Sequence, residues 1–187
     1  MKEHPRLEEA LKRVLLELNN SILKRRVYNA MLDLKSTHGL DFFRVCNAAL
    51  QNDLYAGIHR AFDKHKDATS FWFIRYITKD QLEDAAKKAG VSITEIERLA
   101  EKLKPIRDQV HSHVDRRTLG DTSKPWKDAD ITGDELIWLT DSAHEVLRVA
   151  LLDLTGEDCP VPEYHGEDIG NIMCAYKKEY PDAPLSI

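Results

Sequence analysis

The sequence predicts an all-α fold, a four-helix-type bundle with short accessory helices. Three observations carry that expectation. Apolar residues recur every three or four positions along nearly the whole chain, the period of an amphipathic helix. No stretch alternates apolar and polar residues in the manner of a half-buried strand. A hydrophobic share of 42% beside a charged share of 32% suits a globular domain with a charged helical surface, and excludes a disordered or collagen-like chain.

Element by element, Leu7, Leu11, Val14, Leu18 and Ile22 fall on one stripe, and the pattern runs on through Val27 and Met31 to the break at Ser36-Thr37-His38-Gly39. Pro5 stands where a first-turn proline is tolerated. A second helix carries Phe43, Cys46, Leu50, Leu54, Ile58 and Phe62, and the polar stretch from His65 to Thr69 ends it. Ser70 to Ile77 is short and aromatic; it fits a buried helical turn or a strand, and its neighbours favour helix. Asp80 is an N-cap type of residue with Glu83 three positions on, and Gly90 is a natural stop.

Ser92-Ile93-Thr94-Glu95 spells a capping box. It opens a helix with the stripe Ile96, Leu99, Leu103, Ile106 and Val110, whose next step is His113. Pro105 lies inside that stripe and predicts a kink or a fresh start. Thr118 to Asp130, with Gly120 and Pro125, reads as a loop. Thr132-Gly133-Asp134-Glu135 is a second capping box, followed by Leu136, Leu139, Ala143, Val146, Ala150 and Leu154 up to Gly156. Beyond Pro160 and Pro162, a short amphipathic helix is expected on Ile169, Ile172, Met173 and Tyr176. The expected organisation is one helical domain over residues 1–156, with residues 157–187 a tail whose short helix packs on it.

Composition excludes several classes of function. A mean hydropathy of -0.47, with no apolar run near the roughly 18 residues of a membrane span, predicts no membrane contact. The N-terminal residues lack the apolar stretch of a secretory signal, so a cytoplasmic protein is expected. Cys46, Cys159 and Cys174 are odd in number and irregular in spacing, which suits free thiols rather than a disulfide framework or zinc cage. A net charge of -5 argues against a protein that coats nucleic acid over a broad face, but leaves room for a small basic site.

One such site stands out. Between Lys104 and Arg117, four fixed cations (Lys104, Arg107, Arg116 and Arg117) meet two acids (Asp108 and Asp115) and two histidines (His111 and His113). The segment is basic within an acidic chain. Arginine offers a planar fork to phosphate oxygens, and histidine moves protons near neutral pH. Equally, the arginines could pair with Asp108 and Asp115 on a solvated helix face, with His113 in the core. At about 100° per residue, Arg107 and His111 share a helix face, whereas Arg107 and His113 lie roughly 120° apart. One straight helix would not close Arg107 and His113 around one phosphate. Two copies facing each other across a twofold axis could.

The run from Arg107 to His113 resembles the arginine, polar residue, then histidine signature of HEPN domains, with five residues between Arg107 and His113. The longer string Leu103 to Asp108, then His113 to Arg116, resembles the AbiU-like abortive-infection branch of that superfamily. So do Phe42-Phe43-Arg44, Asn52-Asp53-Leu54 and the polar loop leading to Thr132 to Leu136. The likeness covers about three-quarters of the chain and weakens beyond Gly156.

The resemblance implies a helical bundle that dimerises so that two Arg-to-His motifs line one cleft. It also implies a metal-independent endoribonuclease of toxin or phage-defence type, with RNA as its partner. By position, Arg107 would contact the scissile phosphate, His113 would be the catalytic histidine, and Asp108 would orient the arginine or its partner. His111, Arg116, Arg117 and Lys104 would contact RNA; the histidine at position 111 departs from the aliphatic or basic residue common in related sequences. No cofactor and no metal are expected, and there is room for an antitoxin or nucleotidyltransferase partner. The alternative is a catalytically silent HEPN dimer that serves as an RNA-binding, nucleotide-binding or regulatory module.

Other motifs carry less. His111-Ser112-His113-Val114-Asp115 spells the H-x-H-x-D string of metallo-β-lactamase-like hydrolases, but its flanks are helical and Arg116 stands where a further histidine belongs. His38, His59, His65, His144 and His165 are scattered, with surface or packing roles expected. Trp72, Trp126 and Trp138 could stack on bases, with core or loop-anchoring roles the default.

Overall fold

Two long helices form the spine. A computed structural model of the protein describes residues 6–32, 41–106, 124–179 and 181. Among them are α1 (Leu7–Leu32), α2 (Asp41–Ala61), α3 (Phe71–Ile77), α4 (Lys79–Ala89), α5 (Ile93–Ile106), α6 (Lys124–Ala129), α7 (Gly133–Thr155) and α8 (Glu167–Glu179), with no strand among the described residues. The all-α expectation holds. α1 packs chiefly on α2 and α7, α7 also covers α4 and α5, and α3 and α6 are short braces on α1, α4 and α5. No described helix is long and apolar enough to cross a membrane.

The stripes predicted for α1 and α5 are buried at Leu7 to Ile22 and Ile96 to Ile106, whereas in the second stripe Leu54, Ile58 and Phe62 are buried and Cys46 and Leu50 only half-buried. Leu7, Leu11, Val14 and Leu18 of α1 meet Leu139, Ala143 and Val146 of α7 and Ile96, Leu99, Leu103 and Ile106 of α5 in one core, and Ile22 is buried as well. α3 resolves the ambiguity at residues 70–77 in favour of helix, with Phe71 and Ile74 buried and the Phe71 ring 5.6 Å from that of Phe62. α1 and α2 cross closely at Gly57. A β-carbon there would come within 3.0 Å of Ser21 Oγ, so only glycine permits the approach.

Helix ends are partly as expected. Thr132 Oγ1 accepts the Glu135 amide while the Glu135 carboxylate accepts the Thr132 amide, a complete capping box at α7. At α5 only half the box forms: Ser92 Oγ accepts the Glu95 amide, and the Glu95 carboxylate turns to Arg98 instead. Gly90 and Gly156 close α4 and α7 at φ 68° and 75°, a left-handed conformation that costs glycine nothing.

Four expectations are corrected. The cap residue of α4 is Thr78, two residues before Asp80, and the helix starts at Lys79, because α3 and α4 share Thr78 as their junction. The stretch read as a loop up to Asp130 contains α6, held by the burial of Pro125 and Ala129 rather than by an apolar repeat. The α7 stripe drifts to Leu147 and Leu151, with Ala150 and Leu154 only half-buried, because α1, α4 and α5 packed on α7 set which face is covered. Pro105 brings no fresh start, since α5 continues through it to Ile106.

The chain beyond α7 lies against α1 and α7. Arg148 holds Asp158 at 2.7 Å, Lys12 holds Glu157 at 2.8 Å, and Arg26 donates to the Pro162 carbonyl at 2.9 Å. α8 follows, with Ile169 buried and Ile172 exposed.

Candidate functional site

The basic segment begins where α5 leaves the core. Ile96, Leu99, Leu103 and Ile106 are nearly inaccessible, so four apolar anchors fix α5 along its length, two of them in its last described turn. Arg107 is the next residue. Of the predicted site residues the described structure contains Lys104, which is exposed and pairs with no other described residue. Arg107, Asp108, His111, His113, Arg116 and Arg117 lie outside the described residues, as does the H-x-H-x-D string.

The other cations of α5 are committed elsewhere. Arg98 bridges Glu95 and Glu135, and Lys102 reaches Glu135 at 3.4 Å and the Asp130 carbonyl. Glu135 is thus a hub: it caps α7, accepts from Arg98 and Lys102, and ties the start of α7 to the solvent face of α5. The Thr132 amide and the two cations hold its carboxyl down at about 2, well below the usual 4.5. Lys104 therefore stands apart from its neighbours as an exposed charge at the end of α5.

The chain re-enters the described fold at α6. Pro125 and Ala129 are buried, and the Trp126 ring lies 4.6 Å from that of Tyr55 on α2. α6 packs on α5, so residues 107–123 depart from and return to neighbouring, anchored elements.

Outside this region, the described histidines and cysteines are scattered over the fold. His144 is buried with Nε2 unpartnered, and burial pushes its imidazole below the ordinary range. His59 is also buried, and His65 and His165 are exposed. Cys46, Cys159 and Cys174 are free thiols. No group of three or more His, Cys, Asp or Glu among the described residues could hold a metal. Trp72 is a packing residue, donating to the Phe62 carbonyl at 3.1 Å beneath Lys64.

One feature escaped the sequence reading. A cavity of about 210 Å³ lies between α1, α2, α6 and α7, walled by Tyr28, Tyr55 and Trp126. At its side Arg25 is locked by Asp141 at 2.9 and 3.0 Å and by Thr140 Oγ1 at 3.2 Å. The signal available was the pairing of Arg25 and Tyr28 one turn apart on a helix end with weak apolar periodicity.

The sequence matches the HEPN family AbiU2 over residues 5–172. No curated protein and no solved structure matches it. The match takes in α1 to α7, the whole of the basic segment and the first part of α8, so it extends past Gly156, farther than the motifs alone suggested. With an all-α fold and a match of that extent, the chain belongs to the AbiU2 family of HEPN domains.

Proposed function

We propose that the protein is a metal-independent endoribonuclease of toxin or phage-defence type, working in the cytoplasm as a homodimer whose two basic segments line one cleft. The observation that carries this reading is the family match across Arg107–His113, the arginine-to-histidine signature of HEPN domains. The emergence of that signature directly after the buried Ile106, beside the exposed Lys104, adds support.

The residue chemistry suffices for RNA cleavage. The ribose 2′-hydroxyl loses its proton to one histidine and attacks the adjacent phosphorus. The P–O5′ bond breaks, and a second histidine protonates the departing 5′-oxygen. His113 from each protomer supplies these two roles, and Arg107 stabilises the charge gathering on the phosphoryl oxygens. Asp108 orients the arginine, while His111, Arg116, Arg117 and Lys104 hold the strand. DNA lacks the attacking hydroxyl and stays intact. In this reading, residues 157–187 are a tail packed on the HEPN-like unit of residues 1–156; the Arg148–Asp158 and Lys12–Glu157 ion pairs support the packing, while the family match to residue 172 runs past that boundary.

Purified protein incubated with mixed RNA in chelator tests the reading. Products ending in a 2′,3′-cyclic phosphate and a 5′-hydroxyl are expected. Activity lost in chelator and restored by a divalent ion would overturn the mechanism. RNA bound but never cut would make the protein a silent binding module.

A further inference from the structure

The cavity between α1, α2, α6 and α7 has the chemistry of a ring-binding site. Its three aromatic walls, Tyr28, Tyr55 and Trp126, come from three different helices. Its one cation is neutralised: the Arg25 guanidinium is bound on two sides by Asp141 and Thr140, so no unpaired positive charge waits there for a phosphate. A volume of about 210 Å³ admits one flat ring system and is too small for a peptide helix.

Two polar points remain at the rim. Asn29 is exposed and makes no hydrogen bond with a described residue, so its amide offers a donor and an acceptor side by side. Gly133 is the first residue of α7, its amide has no helical acceptor, and open space lies beside it where a β-carbon would be. An aromatic slot with a donor–acceptor pair at its edge suits an unstacked nucleobase, which presents a π-face and a hydrogen-bonding edge together.

We propose that this cavity is a nucleobase subsite, in which one splayed base of the RNA lies against Tyr28, Tyr55 and Trp126 while Asn29 reads its edge. The inference rests on the ribonuclease reading and deepens it, giving the enzyme a means of choosing where it cuts. Trp126 belongs to α6, the element that follows the basic segment in the chain.

Titration of the full-length protein with uridine, cytidine, adenosine and guanosine, followed by amide NMR, tests the proposal, with indole as a control. Nucleosides should shift the Gly133, Leu136 and Ile137 resonances. Ile137→Trp, which fills the rim at a side chain already 38% exposed, should erase those shifts without lowering the melting temperature. The same variant should bind a 2′-O-methyl oligoribonucleotide about tenfold more weakly, the loss expected for one stacked base. Asn29→Ala should level the differences among the four nucleosides.

If the protein cuts RNA, yet no nucleoside moves those resonances and Ile137→Trp binds as wild type, the subsite is overturned and the ribonuclease stands. Indole binding without nucleoside binding would overturn it as well. Nucleoside shifts in a protein that never cuts RNA would uphold the base site and sink the ribonuclease.

Discussion

Gly57 of α2 lies so close to Ser21 of α1 that a β-carbon on the glycine would fall inside contact distance of the serine oxygen, while every other atom around that position stays at 3.7 Å or more. Ser21 Oγ is fixed there by donating to the Glu17 carbonyl at 2.8 Å. The pair lies in the most extensive helix–helix interface of the described fold, that of α1 with α2.

Gly57→Ala should therefore lower stability despite the gain in helix propensity, by about 1–2 kcal/mol as overpacking forces the serine aside. In a Ser21→Ala background the obstruction is gone, and the same substitution should stabilise by up to about 1 kcal/mol. Denaturant melts of the four proteins give the coupling. An unchanged effect of Gly57→Ala in both backgrounds would refute the contact.

Glu135 ties α7 to α5, and its carboxyl is held at about 2 against an ordinary 4.5. A carboxyl depressed by folding adds stability above its unfolded-state value and loses it as pH falls through the folded-state value. The melting temperature should drop between pH 4.5 and about 2, and Glu135→Gln should flatten that limb. Thr132→Ala, which removes the reciprocal cap, should cost about 1 kcal/mol at neutral pH.

His144 predicts a separate limb at higher pH. Burial lowers its affinity for a proton below the ordinary 6.5, an effect larger than that of the nearby Glu145, Arg148 and Asp141 charges and the Cys159 backbone. Its contribution is complete above pH 6.5 and is lost as pH falls through the lowered folded-state value. Thermal melts between pH 7 and 5 should show the decline, and His144→Leu should remove its slope. A wild-type curve flat across that range would contradict the assignment.

If Arg107 grips phosphate through its fork, Arg107→Lys should fail nearly as badly as Arg107→Ala, because an ammonium cannot make two parallel hydrogen bonds. His113→Ala should abolish cleavage, and His111→Ala should leave much of it. Both activity and melting temperature need measuring on each variant. A stable, fully active Arg107→Lys protein would reduce that arginine to a structural ion pair, and the reverse ranking of the histidines would exchange their roles.

The homodimer is open to a direct physical measurement. Sedimentation at micromolar concentration should give a dimer that Arg107 and His113 variants retain if they fold. A strict monomer would remove the composite cleft.

How much was legible in the sequence depends on where the governing forces act. Helix existence, the α1 and α5 stripes, the α7 capping box and the Gly90 stop are written locally, in spacing and in residue chemistry within one or two turns. The Arg107-to-His113 signature was likewise readable, because it is a pattern of residue types. Tertiary structure decided the rest. α6 has too few residues for a periodic signal and exists because Pro125, Trp126 and Ala129 find partners across the fold. The α7 stripe drifts to Leu147 and Leu151 because its neighbours set which face is covered. The half-formed box at Ser92 reflects competition from Arg98 for the Glu95 carboxylate, a charge interaction that no capping pattern contains. The aromatic cavity joins residues from four helices, and Glu135 joins α7 to α5; both are products of packing, since residues far apart in the chain meet only when burial of the core brings their helices together.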